Sequence, residues 1–479
     1  MLRYSLGDIN NRTSVTAMAY SAGWNSTDQI AQRAIDSRLT GRFGSLDASD
    51  GGRTARYSLS FETQRIRESG TFKLNAYAIQ SHLNLYSNFT YFLENQSDVD
   101  PAATKGDPFE QAERRRVSGL AASQSFNTSV LGREATNTIG LQLRHDRLDP
   151  VALYGTVARQ RVATVQESRV RQTSVGVYAD NALQWTPWLR SVAGLRADRF
   201  NFDVASSIAQ NSGKKSATLA SPKLSLVFGR WNKTEYFANY GFGFHSNDAR
   251  GSTATVTAKD TSIAARPVNP LVRSKGGELG LRTEIVPGLQ SSLALWRLTL
   301  ASELVFVGDA GETEPSRASR RSGIEWNNHY IARPGLLFDA DLAFSRARYT
   351  EPDPADPTLG NFIPGAVNRV ASFGVTVTEI GPWFGQFQLR YFGKRPLVED
   401  NRQQSKATTL AYLRTGYKIN RDLKLALDVF NLFDRQASDI DYFYTSRLPG
   451  EPAAASTATT PAAPPSPVTR RTTTPPAIR

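Results

Sequence analysis

Apolar and polar residues alternate with a period of two along almost the whole chain, and no other feature constrains its fold so tightly. From Leu423 onward, one face takes Leu423, Leu425, Leu427 and Val429 while the other takes Lys424, Ala426 and Asp428. Phe338, Ala340, Leu342 and Phe344 likewise oppose Asp339, Asp341 and Ser345, and Phe387, Leu389 and Tyr391 oppose Gln386, Gln388 and Arg390. Successive side chains of a strand point to opposite faces, so each segment reads as a strand with one apolar and one polar face. A helix would need apolar residues at i, i+3, i+4 and i+7, and no long segment has them. The chain is expected to be nearly all β. No apolar run approaches 18 residues and mean hydropathy is −0.40, which excludes a helical membrane protein. A membrane β-barrel stays open, because its strands are apolar on one face only.

The connections are of two kinds, and they take turns. Tight ones carry Pro, Gly or Asp, as at Thr186-Pro187-Trp188, Val286-Pro287-Gly288, Arg333-Pro334-Gly335 and Gly381-Pro382-Trp383. Long polar ones fall near 203–216, 247–273, 307–319, 350–366, 395–407 and 434–450. Loops beyond about 12–15 residues are uncommon in compact domains. An outer-membrane barrel accounts for the alternation, with short periplasmic turns and long external loops. Aromatic residues gather at expected strand ends: Trp185 with Trp188, Tyr86 with Phe89, Tyr91 and Phe92, Trp383, and Tyr442-Phe443-Tyr444. Such rings suit the girdles at the two membrane interfaces. About 18 strands are expected in all, among them 115–127, 136–146, 170–184 and a last one at 423–433.

The two ends read differently from the middle. Met1-Leu2-Arg3-Tyr4-Ser5-Leu6 lacks the apolar core and small-residue cleavage site of a secretory signal and looks like part of a strand. The chain therefore reads as a fragment. From 452 to 479 the sequence turns to Pro, Ala and Thr without aromatics, a composition that buries too little apolar surface to fold. Residues 1–451 are expected to form one barrel and 452–479 a disordered tail.

Several runs resemble the barrel of TonB-dependent outer-membrane receptors. They are Ser221-Pro222-Lys223-Leu224-Ser225-Leu226; Thr234-Glu235-Tyr236-Phe237-Ala238-Asn239-Tyr240-Gly241-Phe242-Gly243-Phe244-His245-Ser246-Asn247-Asp248; and Gly194-Leu195-Arg196-Ala197-Asp198-Arg199-Phe200. Leu427-Asp428-Val429-Phe430-Asn431-Leu432-Phe433-Asp434 is similar to the family's penultimate strand, and Tyr442 through Pro452 to its last external loop. The resemblance implies a transmembrane antiparallel barrel of 22 strands around an N-terminal plug, of which this chain would hold about 18 and neither plug, energy-coupling box nor closing aromatic strand. It implies residence in a Gram-negative outer membrane, contact with its lipid, and energised uptake of a scarce, siderophore-like solute. Coupling to the inner-membrane energy complex would need a plug to be supplied. A passive pore, a structural barrel or a non-functional receptor fragment are the alternatives. Capture of the solute is expected in loops 247–273, 350–366, 395–407 and 434–450.

No enzyme is expected. Zero cysteine excludes disulfides, thiolate metal sites and cysteine nucleophiles. His82, His145, His245 and His329 lie far apart, without metal-ligand spacing. Glu351, Asp353 and Asp356 form an acidic loop without the spacing of a calcium loop. Gly241-Phe242-Gly243 precedes no helix, so it is no phosphate loop. No catalytic, cofactor or metal residues are therefore assigned. The 57 basic and 44 acidic residues leave +13, with clusters at Arg114-Arg115-Arg116, Arg320-Arg321, and Arg159, Arg161, Arg169 and Arg171 that raise nucleic acid as a partner. Many cations sit instead at alternate strand positions, such as Arg144, Arg196, Arg282 and Arg390. That pattern places the charge in a wetted lumen, disfavours nucleic acid, and suits a vestibule that attracts anionic solutes.

Overall fold

The computed structural model describes residues 1–94, 106–130, 132–307, 312–315, 317–353, 356–452 and 468–470. Its frame is one 18-stranded sheet. Along the chain the strands are β1 (Leu2–Gly7), β2 (Asn11–Asn25), β3 (Gly51–Arg67), β4 (Gly70–Ser87), β5 (Phe109–Val130), β6 (Arg133–Val157), β7 (Gln160–Thr186), β8 (Leu189–Ser206) and β9 (Gly213–Trp231). They continue as β10 (Thr234–Ser246), β11 (Leu271–Thr283), β12 (Leu289–Leu300), β13 (Ser319–Arg333), β14 (Leu336–Tyr349), β15 (Arg369–Ile380), β16 (Trp383–Phe392), β17 (Thr408–Lys418) and β18 (Lys424–Val429). Each pairs antiparallel with the next, giving an up-and-down meander.

Register turns the alternation of the sequence into two faces. Leu279, Leu295, Ile324 and Phe344 stand side by side across β11–β14, and each is 45–61% exposed. Apolar rows this exposed form the lipid-facing side of a barrel. The opposite face carries Glu278, Glu325, Asp339 and Asp341, and it is the lumen. At the short-turn end aromatic rings gather in a girdle, with centroid separations of 6.1 Å for Trp188–Trp231, 6.2 Å for Trp231–Tyr236 and 4.8 Å for Trp383–Tyr417. Tight turns close that end. Asn232 and Lys233 take φ of 45° and 56°, the left-handed pair of a two-residue hairpin. At Gly335, φ is +86° and a Cβ would sit 2.6 Å from the Glu379 carbonyl oxygen, so only glycine fits.

Four expectations need correction. The segment between 147 and 169 is not a connection: β6 and β7 run on to a two-residue tip at Ala158-Arg159, both with positive φ. Strands of 25 and 27 residues far exceed the roughly 9–11 that span a membrane, so this hairpin projects outward. The loop expected at 203–216 shrinks to a short link between β8 and β9 holding the 3-10 turn Ala209–Asn211. The last strand stops at Val429 rather than 433, because Asn431 enters left-handed backbone (φ 52°) and brackets the turn with bonds to and from Arg435. Tyr86 to Phe92 and Tyr442 to Tyr444 serve no girdle; Tyr91, 2% exposed, anchors a core between loops with Ile30, Ala31, Ala34 and Leu448. The expected tail at 452–479 lies outside the described residues except for Pro452 and the short strand Val468–Arg470.

Candidate functional site at the loop end

The long loops meet at one end of the barrel, and arginines tie them into a ring. Arg317, whose side chain is 7% exposed, donates to the carbonyls of Glu351 (3.2 Å) and Gly360 (2.9 Å). It also bonds the Glu399 carboxylate and stacks on Tyr349 at 4.1 Å. One guanidinium thus joins the loops 301–318, 350–368 and 393–407. Arg395 continues the ring by donating to the Asp439 carbonyl at 2.8 Å. Arg33, on the short helix Gln32–Asp36, forms a two-pronged pair with Glu451 at 2.6 and 2.8 Å. Such a planar fork fixes geometry as well as charge. Arg159, at the β6–β7 tip, donates to the Ser49 and Asp50 carbonyls and to the Asn25 side chain. Lys259 pairs with Glu94 at 3.0 Å.

These contacts place the four expected capture loops. Loops 350–366 and 395–407 meet at Arg317, and 434–450 joins them through Arg395. Loop 247–273 packs against the β8–β9 link, where Thr253 donates to the Asn211 carbonyl at 2.8 Å. Sequence reasoning missed loops 26–50 and 88–108 and the β6–β7 tip. The loss of alternation between Asn25 and Asp50 was the available signal for the first.

Electrostatics within the ring follow burial. Burial pushes the Asp50 carboxyl up to about 8, with the neighbouring Asp28 and Asp47 charges adding to the shift. Its Oδ1 has no hydrogen-bond partner among the described residues. Burial works in the same direction on Asp248, but Arg250 outweighs it through charge and hydrogen bonds and holds the carboxyl below its usual range. Arg33 keeps Glu451 low in the same way.

Below the ring, the lumen is charged but internally balanced. Arg144 pairs with Asp146 (2.7 Å), Arg196 with Asp198 (2.6 Å), Arg282 with Glu235 (2.5 Å) and Arg414 with Asp428 (2.9 Å). Arg390 lies over the Tyr412 ring at 5.9 Å. The expected placement of Arg144, Arg196, Arg282 and Arg390 in the lumen holds. Three of the four have an acid in hand, so these arginines do not make the lumen one-signed. The basic clusters also dissolve: Arg115 faces Glu113 at 2.8 Å, whereas Arg114 and Arg116 alternate onto the outer wall.

No group of three or more His, Cys, Asp or Glu among the described residues is placed to hold a metal ion. His329 Nδ1 lies 2.6 Å from Asp339 and His145 Nδ1 lies 2.9 Å from the Thr173 hydroxyl, on separate parts of the barrel. Asp356 is occupied by Thr358, and Asp353 leans toward Arg317 at 3.9 Å. The acidic loop therefore does not converge on a cation.

A ring of long loops over a polar lumen, with an apolar outer band, matches known receptors. The chain superposes on the ferric yersiniabactin uptake receptor FyuA of Yersinia pestis with TM-score 0.70 and 14% identity, covering 96% of this chain and 66% of that one. For the ferric-catecholate import receptor Fiu of E. coli K12 the values are 0.67, 12%, 90% and 69%. For the copper transporter OprC they are 0.64, 15%, 91% and 65%. The chain thus spans about two-thirds of the length of these proteins. No curated protein matches the sequence. The family described as "TonB dependent receptor-like, beta-barrel" matches residues 3–432. That match covers most of the chain, which therefore belongs to the TonB-dependent receptor-like β-barrel family of the Gram-negative outer membrane.

Proposed function

We propose that this chain, with residues 1–451 as its barrel, forms the wall and external capture surface of an energised importer for a scarce metal chelate. The observation that carries the reading is the arginine-stitched ring of loops above a wide polar lumen. A receptor needs a preorganised rim, since ordering loose loops on binding consumes affinity. The structural neighbours include receptors named for ferric yersiniabactin and ferric catecholate and a ferric citrate transporter, which supports an iron chelate as the solute. Energy would reach the solute through a plug contacting the inner-membrane complex.

The test is accumulation of radiolabelled ferric chelates by iron-starved cells making the protein, with and without a proton-gradient uncoupler. Uptake that collapses with the uncoupler and falls with Arg317→Ala supports the reading. Uptake indifferent to the uncoupler indicates a passive pore instead, and no uptake of any chelate removes transport from this protein.

A further inference from the structure

The outer wall carries a feature that solute capture does not use. Across β11–β14, cross-strand register stacks three rows on the lipid-facing side. The lowest is Leu279, Leu295, Ile324 and Phe344; the next is Gly277, Arg297, Ser322 and Arg346; the third is Lys275, Thr299, Arg320 and Arg348. Arg369, on β15, extends the lowest row opposite Phe344. Cations therefore begin at the edge of the apolar row and fill the rows above it.

Beneath them lies a concavity of about 900 Å³ whose lining includes Leu224, Tyr240, Leu279 and Phe344, with Arg297 and Arg346 at its edge. Gly277 contributes a floor without a side chain, and a Cβ there would meet the Tyr240 ring only at 3.4 Å.

The height of this patch can be worked out. From Leu336 to Arg346 is ten rises, ~33 Å along β14, which a tilt of about 40° reduces to ~25 Å of height. That equals the usual apolar band of an outer-membrane barrel, so Arg346 stands at the headgroup level of the external leaflet.

What sets this patch apart is a dense group of unpaired cations next to an apolar groove. Lys275, Arg297, Arg320, Arg346 and Arg369 form no ion pair among the described residues, and Arg348 covers the Phe362 ring at 3.5 Å and donates to the Ala347 carbonyl at 2.6 Å. Lumen-facing arginines on the same strands are neutralised: Arg282 by Glu235 and Arg321 by Glu303. On the far outer wall acids are interspersed, with Asp149 serving Arg147 and Arg169 and Asp203 lying 3.9 Å from Lys214, while Arg114, Arg116, Arg171 and Arg199 there form no ion pair among the described residues. Strands lie about 4.8 Å apart, so several unpaired cations crowd a patch roughly 20 Å wide. Their mutual repulsion is relieved by a counter-ion of more than one negative charge. Guanidinium groups match phosphate oxygens two at a time.

We propose that the outer wall of β9–β14 binds one membrane lipid of the external leaflet with two or more phosphate charges on its headgroup, the phosphates on Arg297, Arg320 and Arg346 and an acyl chain in the groove over Gly277. An apolar groove continuous with the hydrocarbon takes an acyl chain, while the cation row at its upper end takes the headgroup. A free anion would leave the groove unfilled.

The test uses the full chain purified in detergent, with folding checked by heat-modifiable migration. The probes are a hexa-acylated, diphosphorylated glucosamine-disaccharide lipid, the same lipid with its phosphates removed, and inorganic phosphate. Native mass spectrometry reads bound lipid, and thermal unfolding reads stabilisation. Retention of one diphosphorylated lipid per chain is expected, with at least tenfold weaker binding by the dephosphorylated lipid and by the triple variant Arg297→Gln, Arg320→Gln, Arg346→Gln. Gly277→Leu, which fills the groove and keeps every charge, is expected to weaken lipid binding about tenfold, and Arg116→Gln on the far wall to leave it unchanged. Equal binding of the dephosphorylated lipid, or full displacement by inorganic phosphate at millimolar concentration, overturns the proposal. So does unchanged binding by the folded triple variant. Lipid retention is read without any solute, so its failure leaves the uptake reading standing, and the reverse also holds.

Discussion

Arg320 and Arg321 are neighbours in sequence and strangers in space. Arg321 faces the lumen, where Glu303 meets it at 2.8 Å. Arg320 faces lipid in a row with Lys275 and Arg348 and has no acid beside it among the described residues. The pleat of one strand thus divides a single basic cluster between two solvents. In the lumen, water and acids from adjoining strands and loops both stabilise a guanidinium. Around Arg320 on the outer wall, where the described residues place no acid, water at the interface and the headgroups of the lipid do so. The difference teaches that charge in a barrel must be counted by face. The net +13 is partly an outer-wall property.

The comparison can be broken most sharply at mid-height of the wall. Leu293→Arg, on the lipid face, is expected to destabilise the barrel by about 2–4 kcal/mol, whereas Ser292→Arg, one residue away and facing the lumen, should cost below about 1 kcal/mol. Reversible urea unfolding in vesicles, followed by tryptophan fluorescence, measures both. Equal costs would mean that the two faces are misassigned.

The loops belong to neither face, and Asp50 tests them. Its folded pKa of about 8 lies above the ordinary carboxyl value near 3.8, so the folded state binds the proton more tightly. Stability from this group is fully present below pH 4 and is lost as pH rises to about 8, a change on the order of 2 kcal/mol after allowance for relaxation. Hydrogen exchange of residues 26–50 should therefore quicken between pH 5 and 8 beyond the intrinsic chemical rate, and Asp50→Asn should flatten that excess.

Smaller effects sharpen the contrast between the two arginines. Glu303→Gln leaves Arg321 without its partner and should cost about 1 kcal/mol, because both side chains keep some contact with water. Arg320→Gln should change stability in lipid-free detergent by less than about 0.5 kcal/mol. A larger loss for Arg320 would reveal a protein partner for it. Lys259→Met, at an exposed pair between loops, should register within about 0.5 kcal/mol in the same unfolding assay.

How much of this was legible beforehand depended on range. Alternation in segments such as 338–344 and 423–429 determines which side chains share a face, because the two-residue period is a property of any extended chain. Turn residues such as Gly335 and Asn232-Lys233 mark the tight end for an equally local reason. The β6–β7 hairpin was misread because its upper part breaks the alternation: Val151, Ala152, Leu153 and Tyr154 are consecutive and all buried, and bulges shift the register to β7 there. Outside the membrane no lipid demands an apolar side, so the periodic signal fades although the hydrogen-bonded ladder continues.

The ring of loops was largely invisible. Arg33 meets Glu451 across 418 positions, and Arg317 meets Glu399 across 82; neither pairing leaves a local trace. The sequence alone determined a meander of two-faced strands with alternating short and long connections, since hydrophobic period and turn chemistry act over a few residues. Only the tertiary structure decided which arginines have acids, which loops join, and where the outer wall hollows over Gly277. Those outcomes depend on cross-strand register and on the path of distant loops, where a shift of one residue exchanges lumen for lipid.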